Sequence, residues 1–365
     1  MYRSFYSVVV AILALLSCLS SLPPLIVHIK AKNLATTVLI LSFAFPNLQN
    51  FVNALIWPSD NTALWWNGKI LCDIEVKLYL GMDVAVDGAL ACIFRHIANI
   101  LDTNRMSVTP SRRERNLGFT FALCSCVIAP AFVMGTHYLI QQTRYYVRPL
   151  SGCTPSVYWA WPSILLMSIW PLLLCVIATV YCGIETVRLW RHRKEMSAVL
   201  GNPLSRSGDI RLFALACVVL VVYVPFTLVA FAGTLFRPMH EYSWDYVHPP
   251  GWADNIVYEV QGMQPSIDRW AQIVTGYIIF GFMGLGHDAK QMYGSWLMWV
   301  KCCFGKHSDG RRSGGSEPTR RILSSSTQGR GSTLEGGTLV VVIGNGDAAG
   351  TYPALAEVSS LDPTN

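Results

Sequence analysis

Seven apolar runs of about 18 to 25 residues order this chain, at roughly 5–27, 34–57, 71–97, 117–140, 158–181, 212–235 and 267–285. That is the length an α-helix needs to cross a hydrocarbon core about 30 Å thick. Lipid offers backbone N–H and C=O groups no partner, so such runs must satisfy their hydrogen bonds internally as helices. The expected fold class is an all-α membrane protein, with a seven-transmembrane helix bundle over residues 1–286. Composition agrees: only 14% of the residues are charged, against about 25% in soluble chains. The first run is long enough to span and reads as the first helix rather than a cleaved signal. No internal repeat relates the two halves, which argues against a transporter built from duplicated units.

Loop charges set the expected orientation. On one side lie Lys30, Lys32, Arg95, Arg105, Arg112, Arg113, Arg115, Arg188, Arg191, Arg193, Lys194, Arg206 and Arg211. The other side holds only Lys69, Arg144, Arg148, Arg237 and Arg269. Basic loops stay in the cytosol, so the N-terminus is expected outside. Trp57, Trp65, Trp66, Trp159, Trp161, Trp244, Trp252 and Trp270 gather at the outer ends, as an interfacial belt does. Residues 287–305 read as a juxtamembrane amphipathic segment ending in Cys302 and Cys303, either palmitoylated or idle. Residues 306–365, rich in Ser, Gly, Thr and Arg, cannot bury a core and are expected to form a disordered cytosolic tail.

Of eleven cysteines, only Cys72 and Cys153 fall at the outer, oxidising face, so a disulfide between them is expected. Cys18, Cys92, Cys124, Cys126, Cys175, Cys182 and Cys217 lie in apolar runs and read as packing residues.

The third run carries Asp73, Glu75, Lys77, Asp83 and Asp87. At 100° per residue all but Glu75 share one arc of the helix, and such a stripe faces the bundle interior or a wet cavity rather than lipid. Glu75 points the other way and is expected near outer water, while Asp73 and Lys77 can pair at i, i+4. Asn47, Asn50 and Asn53 form a second polar stripe, in "FPNLQNFVNALIW", as partners or as structural glue. Acidic residues of the loop 236–267 (Glu241, Asp245, Asp254 and Glu259) stand against Arg237 in a charged vestibule. The seventh run has no lysine for a retinal Schiff base, and the scattered histidines offer a metallohydrolase no ligand cluster. No enzyme activity, metal, cofactor or nucleic-acid partner is expected. A non-signalling transporter or channel is the alternative to a receptor, but it needs charge through the full depth, and runs five and six offer almost none.

In chain order, "LPPLIVHIKAKNLAT", "NFVNALIW", "LCDIEVKL", "CIFRHI", "YLIQQTRYYVRPLSGC", "RLWRHRKE" and "IDRWAQIVTGYIIFGFMGLGHDAKQMY" resemble the fungal mating-pheromone receptors of the a-factor type, in a basidiomycete-like form. The resemblance covers about residues 5–305 and leaves out the tail. It implies a G-protein-coupled receptor in the plasma membrane, recognising a farnesylated peptide pheromone and signalling to a heterotrimeric G protein, with membrane lipid around it and room for a homodimer. Ligand contacts are expected from Lys77, Asp83, Asp87, Trp65, Trp66 and Trp270. Asp83 and Asp87 depart from the mostly neutral pattern of the family, as ligand contacts, an internal lock or a subtype feature. Coupling is expected from Arg95, at the inner end of the third run, and from Arg188, Arg191, Arg193 and Lys194, which also serve as a topology signal. Pro225, in the middle of run six, should kink that helix below a ligand and so act as the switch between states.

Overall fold

A computed structural model describes residues 5–100, 111–191, 203–260, 266–286 and 293–294, all within one compact unit, Met1–Ser308. Arg193, Lys194, Cys302, Cys303 and the tail lie outside the described residues. Seven main helices follow one another. α1 (Phe5–Lys30) ends where Lys32 takes a positive φ of 53°, and α2 (Leu34–Ile56) starts at once, with Asn33 Oδ1 accepting from the Thr36 N–H. That side-chain cap satisfies one of the donors a helix start leaves open. α3 is Leu71–Ile100. α4 begins at Arg112, five residues before its apolar run, because Ser111 and Glu114 form a reciprocal capping box. It passes through a π turn at Cys124–Ile128 and closes in a tight turn at His137–Ile140. α5 runs from Trp161 through a π turn at Ile164–Ser168 to Arg191. α6 is Pro203–Leu235, and α7 is Ile267–Ile279, extended by a π turn at Phe280–Gly284.

Five of these helices are long and apolar enough to cross a membrane: Phe5–Lys30, Leu34–Ile56, Arg112–Ile140, Trp161–Trp190 and Ile210–Leu235. α3 differs by its charges and α7 by its length. α3 tolerates its charges because it is the central helix, buried against α2, α4, α5 and α6 over most of its course. Towards the basic loops one cluster joins six helices: Phe43 of α2, Leu90 and Phe94 of α3, Cys126 of α4, Ala178 of α5, Leu215 of α6 and Ile279 of α7. Apolar burial drives little helix association in a bilayer, where close approach and interhelical hydrogen bonds hold the bundle. Gly88 supplies such an approach, since a Cβ there would fall inside contact with the Ser125 backbone carbonyl of α4.

The opposite end carries a β cap that an all-α expectation does not include. β1 (Tyr145–Arg148) and β2 (Gly152–Thr154) pair antiparallel, and β3 (Ile256–Tyr258) joins β1 in parallel, in the order β2-β1-β3. Gly152 closes the hairpin at φ 67°, and its lack of a side chain makes room for Asn53. The disulfide between Cys72 and Cys153 ties β2 to the start of α3, with Cα atoms 5.2 Å apart. Trp57 is fully buried under this cap, its Nε1 donating to the Trp66 carbonyl at 3.0 Å, so it is a core residue rather than part of an interfacial belt. Ion pairs Arg144–Asp73, Arg148–Glu259 and Lys69–Asp254 stitch the cap from outside. The Lys69 ammonium holds the Asp254 carboxyl below its usual range, and burial among Tyr138, Trp244 and Trp252 pushes the His248 imidazole down. Non-reducing peptide mapping of surface-expressed protein should recover Cys72 and Cys153 as one linked pair. Recovery of both as free thiols contradicts the cap.

Candidate ligand cavity

A cavity of about 490 Å³ lies among α3, α4, α5, α6 and α7, within the size range of small-ligand sites. Its polar groups include Tyr79 and Asp83 from α3, Ser168 from α5, Tyr223, Thr227 and Thr234 from α6, and Asp268 and Gln272 from α7. Its apolar wall includes Val133, Met167, Pro171, Phe226, Val229 and Phe231, and Arg237 lines it just beyond α6. Arg237 stacks over the Trp159 ring at 4.3 Å, and two of the four vestibule acids pair elsewhere, Glu259 with Arg148 and Asp254 with Lys69.

The α7 side of the cavity is braced by a buried polar network. Tyr79 Oη donates to Asp268 Oδ2 at 2.8 Å, and Arg269 lies over the Tyr79 ring at 4.7 Å. Arg269, only 2% exposed, donates to Asn50 Oδ1 and to the Cys153 carbonyl, each at 3.2 Å, with its Nε 3.6 Å from Asp268. The asparagine stripe of α2 faces this network. Asn47 donates to Ser17 Oγ and the Gln272 carbonyl at 3.1 Å, Asn50 to Gln272 Oε1 at 3.3 Å, and Asn53 to the Ser151 carbonyl at 3.1 Å. One cation therefore joins α2, α7 and the cap.

Of the ligand contacts expected from the sequence, Asp83 lines the cavity, and Asp87, 1% exposed, sits one turn deeper without lining it. Lys77 is directed elsewhere: its Nζ lies 2.8 Å from His137 Nδ1 and donates to Gln141 Oε1 at 3.0 Å. Asp73 turns to Arg144 at 2.9 Å rather than pairing with Lys77. Trp65 bonds the Ser59 carbonyl and Trp66 stacks on Trp57, both in the cap. Trp270 packs with Val10, Ala14 and Ile273 on the α1 side of α7. None of these three tryptophans lines the cavity. Glu75 is buried, contrary to its expected place near water, and its carbonyl accepts from Gln49 at 3.1 Å. Polar cavity residues not foreseen as ligand contacts include Tyr79, Tyr223, Thr227, Asp268 and Gln272.

At the other end, Arg95 of α3 lies 4.9 Å over the Phe121 ring of α4. Arg188 of α5 donates to the Ala98 carbonyl at 2.6 Å, satisfying one of the acceptors left open at the end of α3. Arg188 is thus a helix-to-helix tie as well as part of a basic cluster. Arg191 lies in the last turn of α5.

A helical membrane bundle with an interior cavity, mostly apolar with a polar minority, has the form of an integral-membrane receptor. Comparison with known families is specific: the STE3 model, described as pheromone A receptor, matches residues 9–304. The chain belongs to the STE3 pheromone A receptor family, whose members are seven-helix receptors. It is 28% identical over 299 residues to the pheromone a factor receptor of Saccharomyces cerevisiae, covering 80% of this chain and 62% of that one. It is 26% identical over 292 residues to pheromone receptor 1 of Ustilago hordei, covering 77% and 80% respectively. The pheromone B alpha 3 receptor of Schizophyllum commune is 24% identical over 303 residues, covering 79% of this chain and 47% of that one. The chain thus spans about half to four-fifths of the length of these relatives.

Proposed function

We propose that the chain is a plasma-membrane receptor that takes a farnesylated peptide pheromone into the cavity and signals to a heterotrimeric G protein. The observation that carries this reading is the composition of the cavity in a chain of this family. Asp83, Asp268 and Gln272 offer polar contacts to a peptide, and Met167, Pro171, Phe226 and Phe231 offer an apolar wall to a lipid. In this reading the disulfide-tied cap faces outside and the basic loops face the cytosol. A ligand shifts a receptor only by binding one arrangement better than another. The cavity touches α3, α4, α5, α6 and α7, so a bound ligand can bias how α6 lies against its neighbours. The test is expression in a receptor-deleted yeast carrying a mating reporter, challenged with synthetic peptides with and without farnesyl. Reporter output from farnesylated peptides alone supports the proposal, and silence towards all farnesylated candidates at normal surface level contradicts it.

Pro225 lies one residue before the cavity-lining Phe226, inside the helix α6. It lacks an N–H and so leaves the Val221 carbonyl without its helical partner. Below it, Leu215, Ala216 and Val219 are buried against the core around Leu90 and Phe94. A bend at Pro225 would let this lower part of α6 repack while the upper part holds the ligand. Pro225→Leu restores the hydrogen bond and is expected to change basal reporter output without pheromone. Unchanged basal and maximal outputs at normal surface level would remove Pro225 from the switch.

Arg188, Arg191, Arg193 and Lys194 are proposed to engage the G protein. Neutralising all four is expected to weaken nucleotide exchange several-fold at unchanged pheromone affinity. Undiminished exchange would leave them a topology signal, with Arg188 tying α5 to α3.

A further inference from the structure

Asp83 and Asp268 line the same cavity, yet their surroundings differ. Asp268 accepts from Tyr79 Oη and has Arg269 3.6 Å away, so its charge is compensated. Asp83 has no hydrogen-bond or ion-pair partner among the described residues, and the other carboxylate lining the cavity is Asp268. It stands about 18 Å along α3 from Leu71, at 1.5 Å per residue. The two arginines nearest the cavity are already engaged, Arg269 with Asn50 and the Cys153 carbonyl, and Arg237 over the Trp159 ring. A carboxylate at membrane depth without a cation is costly, and such residues mark functional sites by default. Its carboxylate is exposed to the cavity, whose lining sets the hydroxyls of Tyr79 and Tyr223 beside apolar Leu80, Val84 and Phe226, so an entering cation can reach it and is screened less than in open water.

We infer that the cavity selects ligands carrying a cationic group, an amino terminus, lysine or arginine, which pairs with Asp83 while an apolar part of the same ligand lies against α5 and α6. This rests on the lipopeptide reading and narrows it: the pheromone is cationic as well as lipidated, and Asp83 is a specificity-determining residue. An amine in this position converts an unpaired carboxylate into an ion pair held on Tyr79, Asp83 and Tyr223 of the cavity wall.

The experiment uses membranes with the full-length receptor and two probes, lysyl-S-farnesylcysteine and its neutral isostere norleucyl-S-farnesylcysteine, both N-acetylated. The wild type is expected to bind the lysyl probe at least about tenfold more tightly. Asp83→Asn, nearly isosteric, should erase that preference, chiefly by weakening the lysyl probe, whereas Asp83→Glu should keep the preference. Equal affinities in the wild type, or a preference that survives Asp83→Asn, overturns the inference while leaving lipopeptide reception standing. Failure of both probes to bind any receptor, together with silence towards farnesylated peptides in the yeast reporter, removes lipopeptide reception and the inference with it. Repeating the assay with sodium replaced by N-methylglucamine separates the two sources of a cation. Neutral-probe affinity that depends on sodium, without any preference for the lysyl probe, would assign Asp83 to a free ion and overturn the inference.

Discussion

Alanine in place of Arg269 is expected to empty the cell surface of receptor. The guanidinium is fully enclosed and holds Asn50 of α2, the Cys153 carbonyl of the cap and Asp268 of its own helix, with the Tyr79 ring beneath it. Truncation would remove the cation beside Asp268 and strand two buried acceptors, Asn50 Oδ1 and the Cys153 carbonyl. Breaking a buried ion pair by removing one partner costs about 3–5 kcal/mol. Asp268 is partly exposed, so the loss lies near the lower end, still a large share of the roughly 5–15 kcal/mol that holds a domain folded. Arg269→Lys should recover only part of this, because an ammonium cannot fork between Asn50 and the Cys153 carbonyl. Surface labelling and thermal unfolding of detergent-extracted receptor measure both variants. A wild-type melting temperature for Arg269→Ala would show that the network is not the brace described.

Valine in place of Gly88 should be nearly as damaging, for a steric reason. The obstacle to a Cβ is the backbone carbonyl of Ser125 and the peptide that follows it, so no rotamer change can relieve the contact. α4 would have to move away from α3 at its π turn. Overpacking costs about 1–3 kcal/mol, and more where backbone must shift. The loss falls on an interface that a bilayer does not reinforce by hydrophobic association. Gly88→Ala should show a smaller loss of the same sign. Unchanged unfolding temperatures for both would contradict the close approach of α3 and α4.

What the sequence makes legible is whatever depends on spacing along one segment. Apolar runs place all seven helices, and cysteine arithmetic predicts the Cys72–Cys153 link. The Ser111–Glu114 box also marks the true start of α4, although hydropathy alone begins that helix several residues later. The charged stripe of α3 points equally to Lys77, Asp83 and Asp87, and only Asp83 of the three lines the cavity. The same helical geometry misplaces Glu75, because it assumes that α3 has a wet or lipid-facing side. Its Glu75 face instead meets Gln49 of α2. The cap strands are three or four residues long and pair segments far apart in the chain, so periodicity gives no sign of them. Asp268 is hidden by its position in the first turn of α7, where an acid reads as a favourable helix-terminus charge. Tyr223 and Thr227 lie on α6, which is apolar on nearly every side, so only the structure shows which side meets the cavity. The tryptophans mislead for a similar reason. A position at the end of a spanning run suits a membrane belt, a cap core or a cavity equally well, and Trp57 and Trp159 occupy the last two, whereas Trp66 stacks on Trp57 but stays exposed.

Photolabelling tests most directly whether this cavity receives the lipid of a pheromone. A peptide carrying a diazirine-bearing farnesyl group would be bound to intact membranes, irradiated, and the labelled receptor digested and mapped by mass spectrometry. Label is expected in the α5 segment containing Met167 and Pro171 and in the α6 segment from Phe226 to Phe231, and excess farnesylated peptide should abolish it. Label confined to the cap around Trp65 and Trp66, or to the lipid-facing residues of α1, and unaffected by competitor, would contradict the assignment of the cavity as the receptor site.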